Sequence, residues 1–257
     1  MEYNVCILTK NDCHKANRFI APKGIILHST GANNPTLKRY VQPDDGILGL
    51  NKYNNDWNRP GINKCVHAFI GQDKNGKVRV YQTLPWNMRA WGCGSGPKGS
   101  YNNTHIQIEM CEDNLRDREY FMEVINKAID LCVMLCHDYN IPVTNIISHK
   151  EAHKAGYASD HVDCDNWLGI LGYTMDWVRN QVLYRINNMS NNVATSQRLV
   201  VVDVGSLNVR EKPTVYSNKV CTVKRGEIYT IVETSGKWGK LKSGKGWINL
   251  RYTLPYD

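Results

Sequence analysis

The spacing of apolar residues changes character once along these 257 residues, and that change constrains the fold more than any other feature. As far as about residue 186, apolar residues fall both in short β-type runs and at helical intervals. From about residue 199 onward no helical period survives. One layered core does not accommodate both patterns, so the chain is expected to form two domains. The polar stretch Asn187-Asn188-Met189-Ser190-Asn191-Asn192, with Thr195 and Ser196 after it, marks the division. It follows the series Met175, Val178, Val182 and Ile186, which reads as a helix, and precedes the run Leu199-Val200-Val201-Val202. Residues 187–198 are therefore read as a linker between a domain at 1–186 and another at 199–257.

In the first part, Gly24-Ile25-Ile26-Leu27-His28 follows a Pro-Lys-Gly turn and reads as a buried strand. Cys65-Val66-His67-Ala68-Phe69-Ile70-Gly71 and Val78-Arg79-Val80-Tyr81 flank the turn Asp73-Lys74-Asn75-Gly76, a hairpin pattern. His105-Ile106-Gln107-Ile108-Glu109-Met110 alternates as a strand does. Between about 117 and 139, apolar residues at Phe121, Val124, Ile125, Ala128, Leu131, Cys132 and Leu135 predict a long helix bounded by Pro142. Strands mixed with long helices indicate an α/β or α+β domain. In the last part, strands are predicted at 199–202, 220–223, 228–232, 239–241 and 246–248, separated by Gly, Ser and Lys turns. They indicate a small all-β barrel of about 60 residues, near the lower limit for a self-sufficient core.

Hydrophobic residues at 42% and charged residues at 22% exclude a disordered or fibrous chain. No run approaches the roughly 18 apolar residues of a membrane-spanning helix. The opening Met1-Glu2-Tyr3-Asn4-Val5-Cys6 has no basic segment followed by an apolar stretch. Synthesis in a cytosol without a Sec signal peptide is therefore expected. Nine cysteines show no framework spacing and no CxxC pair, and Cys132 and Cys136 sit one helical turn apart. They are expected to be mostly reduced core thiols. Residues 198–257 carry 11 Lys and Arg against 5 Asp and Glu, a net +6 of the chain's +8. Such a basic module fits an anionic partner or a merely solvated surface.

Three histidines stand where chemistry is commonly placed. His28 ends an apolar strand and opens into Ser29-Thr30-Gly31, and His149 ends Ile146-Ile147-Ser148. His161 lies in Ser159-Asp160-His161-Val162-Asp163-Cys164-Asp165, a segment dense in ligand and acid–base residues. With Glu109 at a strand end they could supply two imidazoles, a carboxylate and an open water position for a hydrolytic zinc ion. His149-Lys150-Glu151-Ala152-His153 also spaces two histidines like the helical HExxH pair. Lys150 stands where that pattern needs its glutamate, and Gly156 closes the segment, so ligands distributed over strand ends are preferred.

The stretch Lys23-Gly24-Ile25-Ile26-Leu27-His28-Ser29-Thr30-Gly31 resembles the opening strand of zinc-dependent N-acetylmuramoyl-L-alanine amidases of the T7-lysozyme and peptidoglycan-recognition type. The likeness continues through Val66 to Gly71, Trp91, Asn102 to Glu109, Ser148 to His153 and Ala158 to Asp163, in family order over roughly residues 15–185. It implies an α/β fold, a mixed central sheet flanked by helices. It implies Zn2+ held by His28, His149 and Asp163. Glu109 matches the glutamate that activates water, and His161 the residue that stabilises the charged intermediate. His67 and Trp91 are candidate contacts to wall fragments.

The sequence departs from the family pattern at two places. Cys164 stands where relatives often have Pro, which leaves Asp163 and Cys164 as rival third ligands, and Gly92 follows Trp91 where relatives often have His. Leu207-Asn208-Val209-Arg210-Glu211-Lys212-Pro213, with Gly236 to Leu241 and Gly244 to Ile248, resembles bacterial SH3 domains. Such modules imply wall peptide or anionic wall polymer as ligand. Peptidoglycan is thus the expected substrate, and a phage or prophage endolysin, released with a holin or by lysis, the expected type. Rival readings are a non-catalytic peptidoglycan binder and a wall peptidase of the same fold. A nucleic-acid binder has only the basic module behind it.

Overall fold

The computed structural model describes residues 1–195 and 198–256, with residues 189–195 described by their backbone alone. The chain divides into two compact units, Met1–Tyr184 and the residues from Arg185 onward.

Six strands build the sheet of the first unit: β1 (Asn4–Val5), β2 (Gly24–Ser29), β3 (Ala68–Gln72), β4 (Val78–Gln82), β5 (His105–Met110) and β6 (Ile146–Ser148). Their spatial order is β1-β4-β3-β5-β2-β6. β2 runs parallel to β5 and β6, β5 runs parallel to β3, and β3 and β4 form the antiparallel hairpin. All six residues of β2 are buried, as in a strand covered on both faces. The register sets His28 opposite Glu109 and Ile26 opposite Gln107. Side chains alternate across a strand, so His28, Gln107 and Glu109 share one face of the sheet.

Five helices accompany the sheet: α1 (Asp12–Lys15), α2 (Arg118–Tyr139), α3 (His149–Ala155), α4 (Asp163–Ile170) and α5 (Met175–Thr195). The apolar positions that predict α2 are buried, and the helix packs on β3, β4 and β5. The Asp117 side chain accepts from the Tyr120 N–H at its start, and left-handed Asn140 ends it. α3 and α4 pack on β2 and β6. All nine cysteines are free thiols, and Cys132 and Cys136 are buried in α2. Among the described residues, no helix is long and apolar enough to cross a membrane.

The segment expected as a linker is largely helical. α5 continues to Thr195, residues 196–197 lie outside the described residues, and Arg198 opens a strand. Asn and Ser lower helix propensity, but neither Gly nor Pro occurs between Asn187 and Thr195 to stop the helix.

The second unit is a sheet of seven strands: β7 (Arg198–Val202), β8 (Ser206–Arg210), β9 (Lys219–Lys224), β10 (Ile228–Ser235), β11 (Trp238–Leu241), β12 (Trp247–Asn249) and β13 (Thr253–Pro255). They run in the order β13-β7-β10-β11-β12-β8-β9, and every pairing is antiparallel. Val200, Val202, Leu207, Val209, Val223, Ile231, Leu241 and Ile248 form its core. Trp247 is buried, whereas Trp238 is half-buried.

Candidate functional site

Three element ends converge on one face of the first sheet. β2 delivers His28 next to its last residue. β6 passes directly into α3, whose first residue is His149. A reciprocal capping box fixes that junction: Ser148 Oγ accepts from the Glu151 N–H at 3.1 Å, and Glu151 Oε2 accepts from the Ser148 N–H at 3.0 Å. Arg179 clamps the same carboxylate with donors at 2.9 and 3.0 Å. Gly156, at φ 91°, ends α3 after seven residues. The third end is Asp163, which opens α4 at φ 35°. That left-handed backbone is uncommon for a residue with a side chain, and it occurs here at a site, where such strain concentrates.

Asp163 Oδ2 lies 2.8 Å from His28 Nδ1 and 2.8 Å from His149 Nδ1, and the two Nδ1 atoms are 3.1 Å apart. Burial pushes the His28 imidazole below its ordinary pKa despite the opposing carboxylate. Burial alone would raise the Asp163 carboxyl, but the two imidazoles beside it outweigh burial and hold the group well below the usual range. Two imidazole nitrogens around one carboxylate oxygen make a donor set that a cation could share. The ligand atoms of a tetrahedral zinc ion lie about 3.4 Å apart, close to the separations here. The three residues therefore fit a zinc site by donor type, number and spacing.

Glu109 flanks this triad from the paired strand. Burial raises its carboxyl well above the ordinary value, and the neighbouring Asp163 and Glu112 carboxylates raise it further. Glu112 is itself buried and accepts a hydrogen bond from Ser29 Oγ. His161 is exposed, with its ring centroid 4.8 Å from that of His149 and its Nδ1 3.1 Å from Ser159 Oγ.

The rival ligands lie elsewhere. Cys164 is buried and its Sγ donates to the Leu27 carbonyl at 3.3 Å, so the structure brings Asp163, not Cys164, to the histidines. His153 donates from Nδ1 to the Ala158 carbonyl at 3.1 Å and takes no part in the cluster. His67, expected among the wall-fragment contacts, is fully buried. Its Nδ1 accepts from the Gln107 N–H at 2.9 Å and its Nε2 donates to the Met88 carbonyl at 2.8 Å. Neither nitrogen is left for a ligand, and the ring ties β5 to the 88–91 segment instead. Trp91 is 37% exposed under the Arg89 guanidinium and lines a cavity of 350 Å³ with Arg18 and Asn63.

A family model described as N-acetylmuramoyl-L-alanine amidase matches residues 18–164, more than half of the chain. The chain belongs to this amidase family. A second model, the bacterial SH3 domain, matches residues 205–253. N-acetylmuramoyl-L-alanine amidase CwlA of Bacillus sp is 25% identical over 164 residues, which take in 64% of this chain and 59% of CwlA. The chain thus spans under two thirds of that relative's length. Among solved structures, PlyL matches with a TM-score of 0.51 at 21% identity, over 71% of this chain and 97% of PlyL. The Staphylococcus aureus hydrolase AmiA matches with a TM-score of 0.55 at 18% identity, over 74% and 86% of the two chains. Both share the fold of the amidase unit.

Sequence reasoning missed the polar side chains behind the amidase triad. Gln107 Oε1 faces His28 Nε2 at 3.0 Å, and Ser159 Oγ lies 3.4 Å from His149 Nε2. Gln107 is fully buried. One signal was present: Gln107 stands two residues before Glu109, on the same inward face of an alternating strand.

Proposed function

We propose that the amidase unit hydrolyses the amide joining the lactyl group of N-acetylmuramic acid to L-alanine in bacterial peptidoglycan. The observation that carries this reading is the convergence of His28 Nδ1, His149 Nδ1 and Asp163 Oδ2 beside Glu109 in a chain of this family. Zn2+ held by those three residues would polarise the amide carbonyl and lower the pKa of water toward about 7. Glu109 takes a proton from the attacking water and delivers it to the amine nitrogen as the C–N bond breaks. A lactyl carboxylate and a free alanine amine result. Burial raises the Glu109 carboxyl and makes it a stronger base than an ordinary glutamate, and general acid–base catalysis by such a group contributes roughly 10²–10⁴-fold in rate. His161, exposed beside His149, directs an N–H toward the oxyanion that develops on the carbonyl. Trp91, with Arg89 over its ring, is a candidate contact to the wall fragment.

The second unit is read as the part that holds the enzyme on the wall. A cavity of 320 Å³ lined by Asn208, Arg210, Trp238 and Tyr252, on a unit of net +6, suits a wall peptide or an anionic wall polymer. Digestion of purified Gram-positive peptidoglycan tests the whole reading. Mass spectrometry should find released peptides with free N-terminal alanine and glycan strands with free lactyl groups, and EDTA should abolish their release. Fragments cut within the peptide would make the protein a wall peptidase. Wall binding without any fragments would make it a recognition protein.

A further inference from the structure

The direction of one chain of hydrogen bonds behind the triad is dictated by the backbone. The N–H groups of Gly92 and Cys93 can only donate, and both point at one side-chain atom of Asn102, at 3.0 and 3.3 Å. That atom is therefore the carbonyl Oδ1. The Nδ2 amide on the other branch donates to the Gly94 carbonyl at 2.6 Å and to Ser100 Oγ at 2.7 Å. The Gln107 atom 2.6 Å from Asn102 Oδ1 has to be a donor, hence Nε2. Its partner Oε1 then faces His28 Nε2 at 3.0 Å, and an acceptor there requires the imidazole to carry its proton on Nε2. Nδ1 is left with its lone pair, on the side of Asp163 and His149.

We propose that Gln107 is the positioning residue of the metal site, and that through Asn102 the 92–94 backbone selects the His28 tautomer able to bind a metal at Nδ1. The alternative tautomer has a ready partner. With the proton on Nδ1, His28 would donate to Asp163 Oδ2 at 2.8 Å, and a metal would have to displace that proton. Gln107 removes this competitor by supplying the acceptor at Nε2.

Gly92 belongs to the same device. A Cβ at residue 92 would lie 2.5 Å from Gln107 Oε1 and 2.9 Å from Val66 Cγ1. A side chain at 92 and the present Gln107 conformation exclude each other. Gly92 is thus the space that the Gln107 carboxamide occupies. The inference rests on His28 being a metal ligand, but not on which bond the enzyme cuts.

The test uses the full chain and needs no substrate. In metal-free protein, the imidazole 15N signals of His28 should show a protonated Nε2. Gln107→Leu removes the acceptor while leaving Asn102 Oδ1 its two backbone donors, so the proton should move to Nδ1. Zinc affinity, measured by competition with a chelator, should fall about 10–100-fold. Gln107→Glu keeps an acceptor at His28 Nε2 but loses the donor to Asn102 Oδ1, so it should retain the tautomer and restore only part of the affinity lost in Gln107→Leu. Gly92→Ala, which displaces the carboxamide without touching the strand, should reproduce the Leu result and serves if Gln107→Leu does not fold. A protonated Nε2 with zinc affinity within about twofold of wild type in Gln107→Leu or Gly92→Ala would overturn the proposal. A His28 proton on Nδ1 in Gln107→Glu would overturn it as well, because an acceptor at Nε2 would then not set the tautomer.

Discussion

The two units bury different things. Among the described residues, every buried polar or charged residue lies in the first unit, with His28, His67, Gln107, Ser148 and His149 around the sheet. The core of the second unit is a Val, Leu and Ile cluster with the buried Trp247. Burying a polar group without a partner costs several kcal/mol, so a fold holds such groups inside only where they are satisfied. The first unit satisfies nearly all of them with one another and with backbone, Asp165 Oδ2 and Trp167 Nε1 excepted, and this fixes donor atoms to within a hydrogen-bond length. The second unit needs only a hydrophobic face, and its polar groups remain outside, available to a partner. This contrast fits the proposed division, with chemistry in the first unit and adhesion in the second, and each half can be attacked separately.

The strongest attack is on the triad. His28→Ala or Asp163→Ala should deplete zinc and lower muropeptide release by more than about 10³-fold, because the open metal site is lost. Cys164→Ser should leave zinc content nearly unchanged, since the thiol faces the Leu27 carbonyl. Metal analysis of purified variants decides it. Zinc loss in Cys164→Ser with retention in Asp163→Ala would exchange the two assignments.

Glu109 is the next largest. Glu109→Gln should retain zinc and lose about 10²–10⁴-fold in turnover. The raised carboxyl also sets the pH dependence. A base has to be ionised, so wild-type turnover should fall as pH drops through a value above that of an ordinary glutamate, and the residual rate of Glu109→Gln should lack that acid limb. The sign for stability is the reverse of the usual carboxylate case. A carboxyl whose pKa is raised in the folded state holds its proton more tightly there, so its stabilising contribution is present at low pH and lost as pH rises. Metal-free Glu109→Gln should therefore melt higher than wild type at neutral pH, by about 2–4 °C for each kcal/mol relieved, and the gap should close in acid. A lower melting temperature at neutral pH would show that the carboxylate is not strained.

How much of this the sequence made legible follows the same contrast. β5 was readable because polar and apolar residues alternate along it, although both its faces are buried, and the helical spacing of Phe121 to Leu135 located α2 within a residue. The family resemblance named His28, His149 and Glu109, with Asp163 and Cys164 as rivals, and the structure brings His28, His149 and Asp163 together. The choice between Asp163 and Cys164 was not readable, because it depends on the left-handed turn at Asp163 that aims the carboxylate at the histidines and the next side chain at Leu27. His67 looked like Trp91 in one dimension, and only burial and two backbone partners separate them. The helix through most of the expected linker was not legible, because Asn and Ser lower helix propensity without forbidding a helix.

A core substitution in the second unit probes whether the two parts are independent. Ile231 is fully buried in the barrel, and Ile231→Ala should cost about 2–5 kcal/mol, a large share of the stability of so small a core. Calorimetry should show one transition lowered or absent while the other is unmoved. Cleavage of soluble muropeptides should persist, and retention on intact walls should fall. Loss of soluble activity in step with barrel unfolding would mean that the amidase unit does not stand alone.

The smallest effect separates two ways in which the barrel could adhere. Its lysines are spread over several strands and turns, among them Lys219, Lys224, Lys237, Lys240 and Lys245, and exposed charges at that spacing act mainly through their summed field. Trp238 and Tyr252, with Asn208 and Arg210, instead line one cavity, where an aromatic face and a few polar groups could select a ligand by shape. Raising salt from about 0.1 M to about 1 M shortens the screening length from about 10 to about 3 Å and should erase the field while leaving a dry contact intact. If the cavity selects and the field only assists, wall retention of the full chain should drop severalfold with salt and then level off. Trp238→Ala should remove the remaining plateau without changing turnover of soluble fragments. A retention curve that falls to nothing with salt and is indifferent to Trp238→Ala would leave the barrel as a charged tether, and the cavity would have no part in holding the enzyme on the wall.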